Sequence, residues 1–285
     1  MKYRNLINNL LLAAILILSP FVFNRINTKN ENLLTFLDIG QGDATLICTE
    51  NNSCGLIDTG KKEIIVDKIR KHTNKELAFI LITHADTDHY GQTQKILENI
   101  GTNTLFIGNT LKAENIIEFA QTSNTPTYEL REDNDFTFGD FNLDILWPDS
   151  NIDLNSIESN DSSTSIIIRI GEIEVFLAGD LSSKYEELLQ DKFSITNIDI
   201  LKISHHGSKN SSSFEYLYKT NPKLAIIPVG KNSYGHPSNQ VLEHLNKLNI
   251  KFLRTDREGD VNIRVKKENL EINTENTKNS YIILN

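Results

Sequence analysis

Short apolar runs alternate with amphipathic stretches from Leu33 to Val265, without internal repeats or low-complexity linkers. Apolar runs bounded by Gly and Asn predict strands, and stretches with helical spacing of apolar residues predict helices. In the first half this pattern predicts strands at 33–37, 44–49, 55–58, 77–83 and 104–107 and helices at 63–72, 92–99 and 111–121. Strands joined by helices in this way indicate an α/β protein.

The second half begins with two predicted hairpins and then returns to alternation. The hairpins pair 135–138 with 141–146 and 165–170 with 174–178. They are followed by helices at 182–189, 211–219 and 240–248 and by strands at 198–203, 224–229, 251–254 and 261–265. Because no linker composition interrupts this order, we predict one domain over residues 30–285, built from two sheets covered by helices.

The first 29 residues have a different pattern. Lys2 and Arg4 precede an apolar run from Leu10 to Phe23 that is broken by Pro20. A basic start before such a run is typical of a signal peptide or an uncleaved signal anchor. The run is short for a transmembrane helix, which needs about 20 residues. We expect residues 1–29 to form an N-terminal hydrophobic anchor helix or a cleaved signal, with a buried helix of the fold as the alternative. Residues 30–285 would then be extracytoplasmic, because the basic end stays inside.

Composition and charge limit the choice of partners. Of the 285 residues, 39% are hydrophobic and 24% are charged, which suffices for a packed core, and the formal net charge is −9. That charge argues against a broad basic surface for nucleic acid, although it does not exclude a local basic channel. Cys48 and Cys54 flank a predicted hairpin turn. They can form a disulfide in an exported protein or stay as free thiols, and both readings stand.

The strongest chemical signal follows the predicted strand at 77–83. His84, Asp86, Asp88 and His89 are four candidate metal ligands within six residues. Burying four such side chains without partners is costly, whereas a pair of divalent cations satisfies all of them together.

Further candidate ligands also stand at the ends of predicted strands. Asp180 follows the strand at 174–178, and a carboxylate there can bridge two cations about 3.5–4 Å apart. His205 and His206 follow the strand at 198–203, and His236 comes shortly after the strand at 224–229. Several strand ends that meet at one edge of a sheet would gather these groups into one site.

The spacing His84-x-Asp86-x-Asp88-His89 resembles the metal motif of the metallo-β-lactamase superfamily, whose usual form is His-x-His-x-Asp-His. Segments 37–44, 56–60, 176–181, 201–208, 232–237 and 254–259 resemble, within that superfamily, the hydrolase domain of ComEC-like competence DNA-uptake proteins and their stand-alone relatives. The resemblance runs from about 33 to 265. It implies a four-layer αββα sandwich with the metals at one edge of the two sheets.

The resemblance also implies roles for individual residues. His84 and Asp86 would hold a first ion, Asp88 and His89 a second, and Asp180 would bridge them. His236 resembles the last metal-binding histidine of the phosphoesterase members.

The remaining candidates support the ligands or take part in the reaction. Asp58 resembles the residue that orients the motif loop, and Asp43 and Ser208 are expected to support the ligands as well. Because adjacent residues in extended backbone point opposite ways, we expect one of His205 and His206 to reach the metal or the scissile phosphate and the other to support it. With Asp88 these two histidines form the predicted catalytic set, and either one is a candidate proton donor.

Two departures from the usual motif bear on the metal. The second motif histidine is Asp86, and the third metal histidine has no counterpart, since Asn160-Asp161-Ser162-Ser163 occupies that stretch. Both changes raise the share of oxygen ligands, which favours manganese or magnesium, while the imidazoles still suit zinc. We therefore predict one or two divalent ions, Zn²⁺ or Mn²⁺.

Three functional hypotheses follow. The first is a phosphodiesterase or nuclease outside the membrane, acting on single-stranded DNA or on a cell-envelope phosphodiester. The second is a hydrolase of a β-lactam or another carboxyl derivative, which the missing third histidine disfavours. The third is a catalytically inactive binding module of the DNA-uptake machinery. The metal motif alone does not choose a substrate.

Overall fold

A computed structural model of the protein describes residues 31–108, 114–266, 269–277 and 280–284. The predicted anchor or signal at 1–29 lies outside the described residues. In the part of the chain that is described, no helix is both long and apolar enough to cross a bilayer. Residues from Glu31 onward form one compact unit.

The described residues form two β-sheets. The first sheet has nine strands, which are β1 Asn32–Phe36, β2 Thr45–Cys48, β3 Cys54–Ile57, β4 Phe79–Ile82, β5 Leu105–Ile107, β6 Thr127–Glu129, β14 Val261–Lys266, β15 Asn269–Thr274 and β16 Ser280–Leu284. Their order across the sheet is β16-β15-β14-β1-β2-β3-β4-β5-β6. The sheet is mixed, because β3 to β6 run parallel to one another while the other neighbours are antiparallel.

The second sheet has seven strands, which are β7 Phe136–Phe138, β8 Phe141–Trp147, β9 Ser165–Ile170, β10 Ile173–Leu177, β11 Ile200–Lys202, β12 Leu224–Ile227 and β13 Lys251–Arg254. Their order across the sheet is β13-β12-β11-β10-β9-β8-β7. Here β10 to β13 are parallel and the other neighbours are antiparallel.

Helices cover the outer face of each sheet. Ile64–Arg70, Thr93–Asn99 and Glu114–Thr122 contribute to the core outside the first sheet, and Ser183–Phe193, Phe214–Thr220 and Asn239–Lys247 to the core outside the second. The short helices are Thr87–Tyr90 and Thr255–Glu258, with 3₁₀ turns at Leu154–Ser156, Asn160–Ser162 and Ser204–Gly207. A third core fills the space between the sheets. The predicted four-layer αββα sandwich is therefore confirmed.

Side-chain alternation along the strands explains the layering. In β9, Ile166 and Ile168 point into the core between the sheets, while Ile167 packs against the helices. Successive side chains of a strand point to opposite faces, so a continuous apolar run serves a sheet that is covered on both sides. Cys48 and Cys54 face each other across β2 and β3 and form a disulfide. Of the two alternatives expected from the sequence, the disulfide is therefore the one found, not the free thiols.

Candidate metal centre

The parallel strands of both sheets end at one edge, where the polar side chains gather. Asp58 follows β3 and His84 follows β4, and these strands are parallel neighbours. Asp180 follows β10 and the His205–His206 pair follows β11, again parallel neighbours in the facing sheet. Residues far apart in sequence meet here because parallel strands place their carboxyl ends side by side.

Carboxylates and imidazoles form overlapping clusters at this edge. His84, His89 and Asp180 offer ligand atoms that all lie within 4.8 Å of one another, as do Asp88, His89 and His206. The Nε2 atom of His89 lies 3.2 Å from Asp180 Oδ2, and the Nε2 atom of His206 lies 3.3 Å from Asp88 Oδ2 and 3.6 Å from Asp180 Oδ2. Asp180 Oδ2 thus lies near two imidazoles, a position from which the carboxylate could bridge two cations.

Hydrogen bonds at the opposite ring nitrogens orient two of these imidazoles. His89 Nδ1 lies 2.7 Å from Asp58 Oδ2, and His206 Nδ1 lies 2.9 Å from the carbonyl oxygen of Pro228. Since a carboxylate and a carbonyl only accept, each Nδ1 donates its proton and Nε2 is the nitrogen turned to the cluster.

His84 is held by hydroxyl groups instead. Its Nδ1 lies 3.1 Å from both Thr83 Oγ1 and Ser163 Oγ. Thr83 Oγ1 donates to Asp58 Oδ2 at 2.8 Å, so it can accept from His84 Nδ1. Ser163 Oγ also accepts from the backbone N–H of Asp180 at 3.0 Å. Ser163 thus links His84, which follows a strand of the first sheet, to Asp180, which follows a strand of the second.

The residues present fit divalent cations. The Nε2 atoms of His84, His89 and His206 are buried and make no hydrogen bond within the described residues, although each ring is fixed from its other side. Buried polar atoms are nearly always paired, so three orphaned nitrogens that converge on carboxylates are the pattern that a metal satisfies.

Burial and charge shift the pKa values strongly. Burial opposes a charge on His206, yet the carboxylates of Asp180 and Asp43 raise its pKa to about 10. For His84, burial and the neighbouring charge of His89 lower the pKa to about 4. Burial alone would raise the pKa of Asp180, but the charges of His89, His206 and Lys202 hold it well below its usual value. Without a cation, protons on imidazoles balance the carboxylates, and cation binding must displace them.

Two sites of unusual backbone shape the cluster. His205 has φ +50° and His206 has φ +54°, so the expectation of extended backbone at this pair is wrong. Left-handed conformations of residues other than glycine cost about 1–3 kcal/mol each and concentrate at functional sites. Gly179 also has a positive φ, and a Cβ there would collide with the side chain of Ser163.

The structure separates the two adjacent histidines. His206 is buried and faces the carboxylates, whereas His205 is half-buried and lies between Asn160, at 3.4 Å from its Nε2, and His236, at 5.4 Å between ring centroids. His206 lies beside Asp88, and the centroid of the His236 ring is 6.5 Å from that of His206. The ligand role expected of His236 stays a prediction.

The other predicted residues lie around the cluster with different degrees of contact. Asp86 Oδ2 is 3.8 Å from His84 Nε2, but its side chain is 41% exposed and joins none of the three-ligand clusters in the described chain. Asp43 is buried and lies 3.3 Å from His206 Nδ1. Ser208 is buried in the loop after the histidines, where its hydroxyl accepts from the backbone N–H of Asn210 at 3.3 Å.

Sequence reasoning missed Lys202, which stands at the end of β11 behind the carboxylates. Its side chain is 4% exposed, and its Nζ lies 2.7 Å from the carbonyl oxygen of Gly179 and 3.2 Å from Asp180 Oδ1. It also pairs with Asp43 Oδ2. The signal was available, since a lysine within an apolar buried strand requires a buried anion.

Comparison with known proteins assigns the family. The sequence profile of the metallo-beta-lactamase superfamily matches residues 37–231. The chain belongs to this superfamily. ComE operon protein 3 of Bacillus subtilis is 27% identical over 86% of the chain and 34% of its own length. Recombination protein 2 of Haemophilus influenzae is 30% identical over 85% of the chain and 30% of its own length.

The resemblance to the superfamily and to competence proteins is therefore confirmed, and the chain spans about a third of these curated relatives. Among solved structures, CmlA, a diiron β-hydroxylase from Streptomyces venezuelae, matches with a TM-score of 0.57 at 15% identity, covering 84% of this chain and 55% of its own. Tm1679, a metal-dependent hydrolase of the β-lactamase superfamily, matches with a TM-score of 0.55 at 13% identity, covering 82% and 100%. At these low identities the two solved structures are evidence for the fold of this chain alone.

Proposed function

We propose that this member of the metallo-beta-lactamase superfamily is a metal-dependent phosphodiester hydrolase that acts on nucleic acid outside the cytoplasm. The observation that carries the metal dependence is the convergence of three orphaned imidazole nitrogens on Asp180 and Asp88. One or two divalent cations held there would lower the pKa of a coordinated water and offset the charge of an attacked phosphate.

The residues of the chain have separate tasks in this proposal. His84, His89, His206, Asp88 and Asp180 would hold the cations, with Asp86 as an exposed ligand at the mouth. The imidazole of His89 is held by its hydrogen bond to Asp58, and that of His206 by its hydrogen bond to the carbonyl oxygen of Pro228. Both rings are therefore in the binding orientation before any cation binds.

His205 is the proposed proton donor to the leaving oxygen. Its backbone N–H donates to Asp180 Oδ1 at 3.2 Å, which fixes the residue beside the cluster. Its ring is half-buried and faces the amide of Asn160 rather than the carboxylates. A histidine outside the cluster but next to it can deliver a proton without serving as a ligand.

The proposed substrate class rests on the curated relatives. The curated relatives include proteins named for competence and recombination, which supports nucleic acid as the substrate.

The stretch 160–163 brings serine and asparagine side chains in place of the third metal histidine of the lactamase pattern. Oxygen-rich ligand sets suit manganese, although imidazole-rich ones suit zinc as well.

The Cys48–Cys54 disulfide supports the proposed location. Disulfides persist in oxidising compartments and are rare in the cytosol. Together with the basic and apolar pattern of residues 1–29, it favours a hydrolase that is anchored or secreted, with its site on the outer side of the membrane.

The test is hydrolysis by the purified protein after EDTA treatment and reconstitution with Mn²⁺, Zn²⁺ or Mg²⁺. The substrates are bis-(p-nitrophenyl) phosphate, single-stranded DNA and nitrocefin. We expect metal-dependent cleavage of the two phosphodiesters. An Asp180→Asn variant should lose most of this activity, while Asp191→Asn, on an exposed helix position, should keep it.

The other outcomes separate the alternative functions. Turnover of nitrocefin alone would overturn the phosphodiester proposal in favour of a hydrolase of carboxyl derivatives. Failure of every substrate, with the metal shown to be bound by calorimetry, would favour a binding module of the DNA-uptake machinery.

A further inference from the structure

An aromatic side chain next to the cluster stands in solvent. Tyr234 is 70% exposed, and its ring centroid lies 5.7 Å from that of His236, with 31° between the ring planes. Single exposed aromatic residues are common and need no explanation by themselves. The support and the position of this one distinguish it.

The loop that carries Tyr234 is held rigidly by one side chain. Asn232 Nδ2 donates to the carbonyl oxygens of Gly230 at 2.8 Å and His236 at 2.9 Å. Its Oδ1 accepts from the backbone N–H groups of Tyr234 at 3.1 Å and His236 at 3.0 Å. With four hydrogen bonds from one amide, the Tyr234 backbone is fixed before any ligand binds, which lowers the entropic cost of binding.

Three rings lead from the cluster to the solvent. His206 touches Asp88 and Asp180, the His236 ring lies 6.5 Å from it with 34° between planes, and Tyr234 follows as the outermost ring. A phosphate group at the carboxylate and imidazole cluster thus has a neighbouring aromatic face within reach of its own nucleotide.

Lysines lie on the backbone segments around this loop. Lys231 directly precedes the loop and Lys209 follows the histidine turn, and both are exposed. The ammonium of Lys62 lies over Gly40, whose backbone packs against Gly230. Within the described chain, none of these three lysines forms an ion pair, so their charge is available to a phosphate backbone.

We propose that Tyr234 is a base-stacking platform for single-stranded nucleic acid, which places the base beside the scissile phosphate. The inference rests on the proposed phosphodiesterase function and narrows its substrate. Stacking on an aromatic ring tolerates any base and needs an unpaired one, so duplex DNA should bind less well. A polyol phosphodiester of the cell envelope offers no flat ring to this surface.

The first test measures binding without turnover. Fluorescence anisotropy of fluorescein-labelled oligothymidylate is recorded in EDTA for the wild type and for Tyr234→Leu, Tyr234→Phe and Tyr218→Leu. We expect Tyr234→Leu to raise the Kd about fivefold or more, the range that stacking of one base supplies. Tyr234→Phe keeps the ring and should stay within about twofold, as should Tyr218→Leu, whose tyrosine is 64% exposed on the helix Phe214–Thr220.

The second test uses the reaction. With Mn²⁺, Tyr234→Leu should raise KM for single-stranded DNA and leave kcat nearly unchanged, because stacking binds substrate and transition state alike. The penalty should disappear on an oligonucleotide with an abasic position beside the cleaved phosphate, where no base can stack.

Each negative outcome has its own meaning. If the wild type cleaves DNA and Tyr234→Leu equals it in both Kd and KM, the stacking inference is wrong while the phosphodiesterase function stands. If the wild type cleaves a polyglycerol phosphate and not DNA, the nucleic-acid substrate is wrong as well. If it cleaves no phosphodiester, the proposed function itself fails, whatever the oligothymidylate binding shows.

Discussion

Replacing Lys202 with methionine tests whether the buried ammonium balances the carboxylates of the site. Methionine keeps much of the length and the apolar stem and removes the charge. The ammonium lies 3.2 Å from Asp180 Oδ1 and pairs with Asp43 Oδ2, and all three side chains are at most 5% exposed. The variant therefore leaves two buried carboxylates short of one positive charge.

The magnitude follows from the distance and the burial. At an effective dielectric constant of about 20, a pair of unit charges 3.2 Å apart interacts with about 5 kcal/mol, against which stands the desolvation of both groups. Removing one partner of such a buried pair typically costs about 3–5 kcal/mol. For a domain of this size that corresponds to a fall in Tm of about 6–20 °C. The loss should be smaller with Mn²⁺ present, since a cation compensates the same carboxylates.

Urea unfolding provides the assay, because the protein has one tryptophan and Trp147 is buried at 3% exposure. Curves are recorded in EDTA and in Mn²⁺. Lys219→Met is the control, since its pair with Asp191 is exposed and screened by solvent and therefore contributes little to the unfolding free energy. The double variant Lys202→Met/Asp43→Asn should lose less unfolding free energy than the two single variants lose together. A loss below about 1 kcal/mol in EDTA would refute the charge-balance reasoning.

Three further predictions concern the support of the site, the pH dependence and the disulfide. Ser163→Ala removes the hydroxyl that holds His84 and should weaken Mn²⁺ binding about 10- to 100-fold by calorimetry; unchanged affinity would mean that the ring is fixed without it. Burial raises the pKa of Glu186 to about 7 from 4.5, so its stabilising protonated form is present below pH 4.5 and lost as pH rises through 7. Relative to the wild type, Glu186→Gln should thus gain about 2.5 kcal/mol of unfolding free energy between pH 5 and pH 8.5 in urea unfolding, and parallel curves of unfolding free energy against pH would contradict this. Replacing Cys48 and Cys54 with serine should lower the unfolding free energy by about 2 kcal/mol, the entropy of so short a loop, whereas an unchanged midpoint in urea would show no such contribution.

The layers of the fold could be read from the sequence because they depend on local periodicity. The apolar run Ser165–Ile170 and its hairpin partner Ile173–Leu177 lie within about a residue of their predicted positions. The strands Asn269–Thr274 and Ser280–Leu284 were missed, as was Thr127–Glu129. They lie at or beside the edges of the first sheet. The period was nevertheless present in Asn269–Thr274, where buried Leu270 and Ile272 alternate with partly exposed Glu271 and Asn273.

The composition of the site was easier to predict than its geometry. Strand ends indicated which imidazoles and carboxylates meet, since strand direction decides that. His206 lies against Asp88 because two successive residues, His205 and His206, have left-handed backbone conformations. The amino-acid sequence gives no signal for that conformation. Lys202 was missed because its partners are distant in sequence: Asp180 follows the neighbouring strand β10, and Asp43 lies in the loop before β2 of the facing sheet.

The stretch 160–163 shows how the departures from the usual metal motif fit together. Where the lactamase pattern has a third histidine ligand, Ser163 bonds the back of His84 and the backbone of Asp180, and Asn160 faces His205. The stretch thus orients ligands instead of supplying one. The first ion would then depend on His84, His89 and Asp180, with Asp86 at the solvent side as a carboxylate in place of an imidazole. Because an exposed carboxylate exchanges with water more readily than a buried histidine does, this side of the centre should be the more open one to an incoming substrate oxygen.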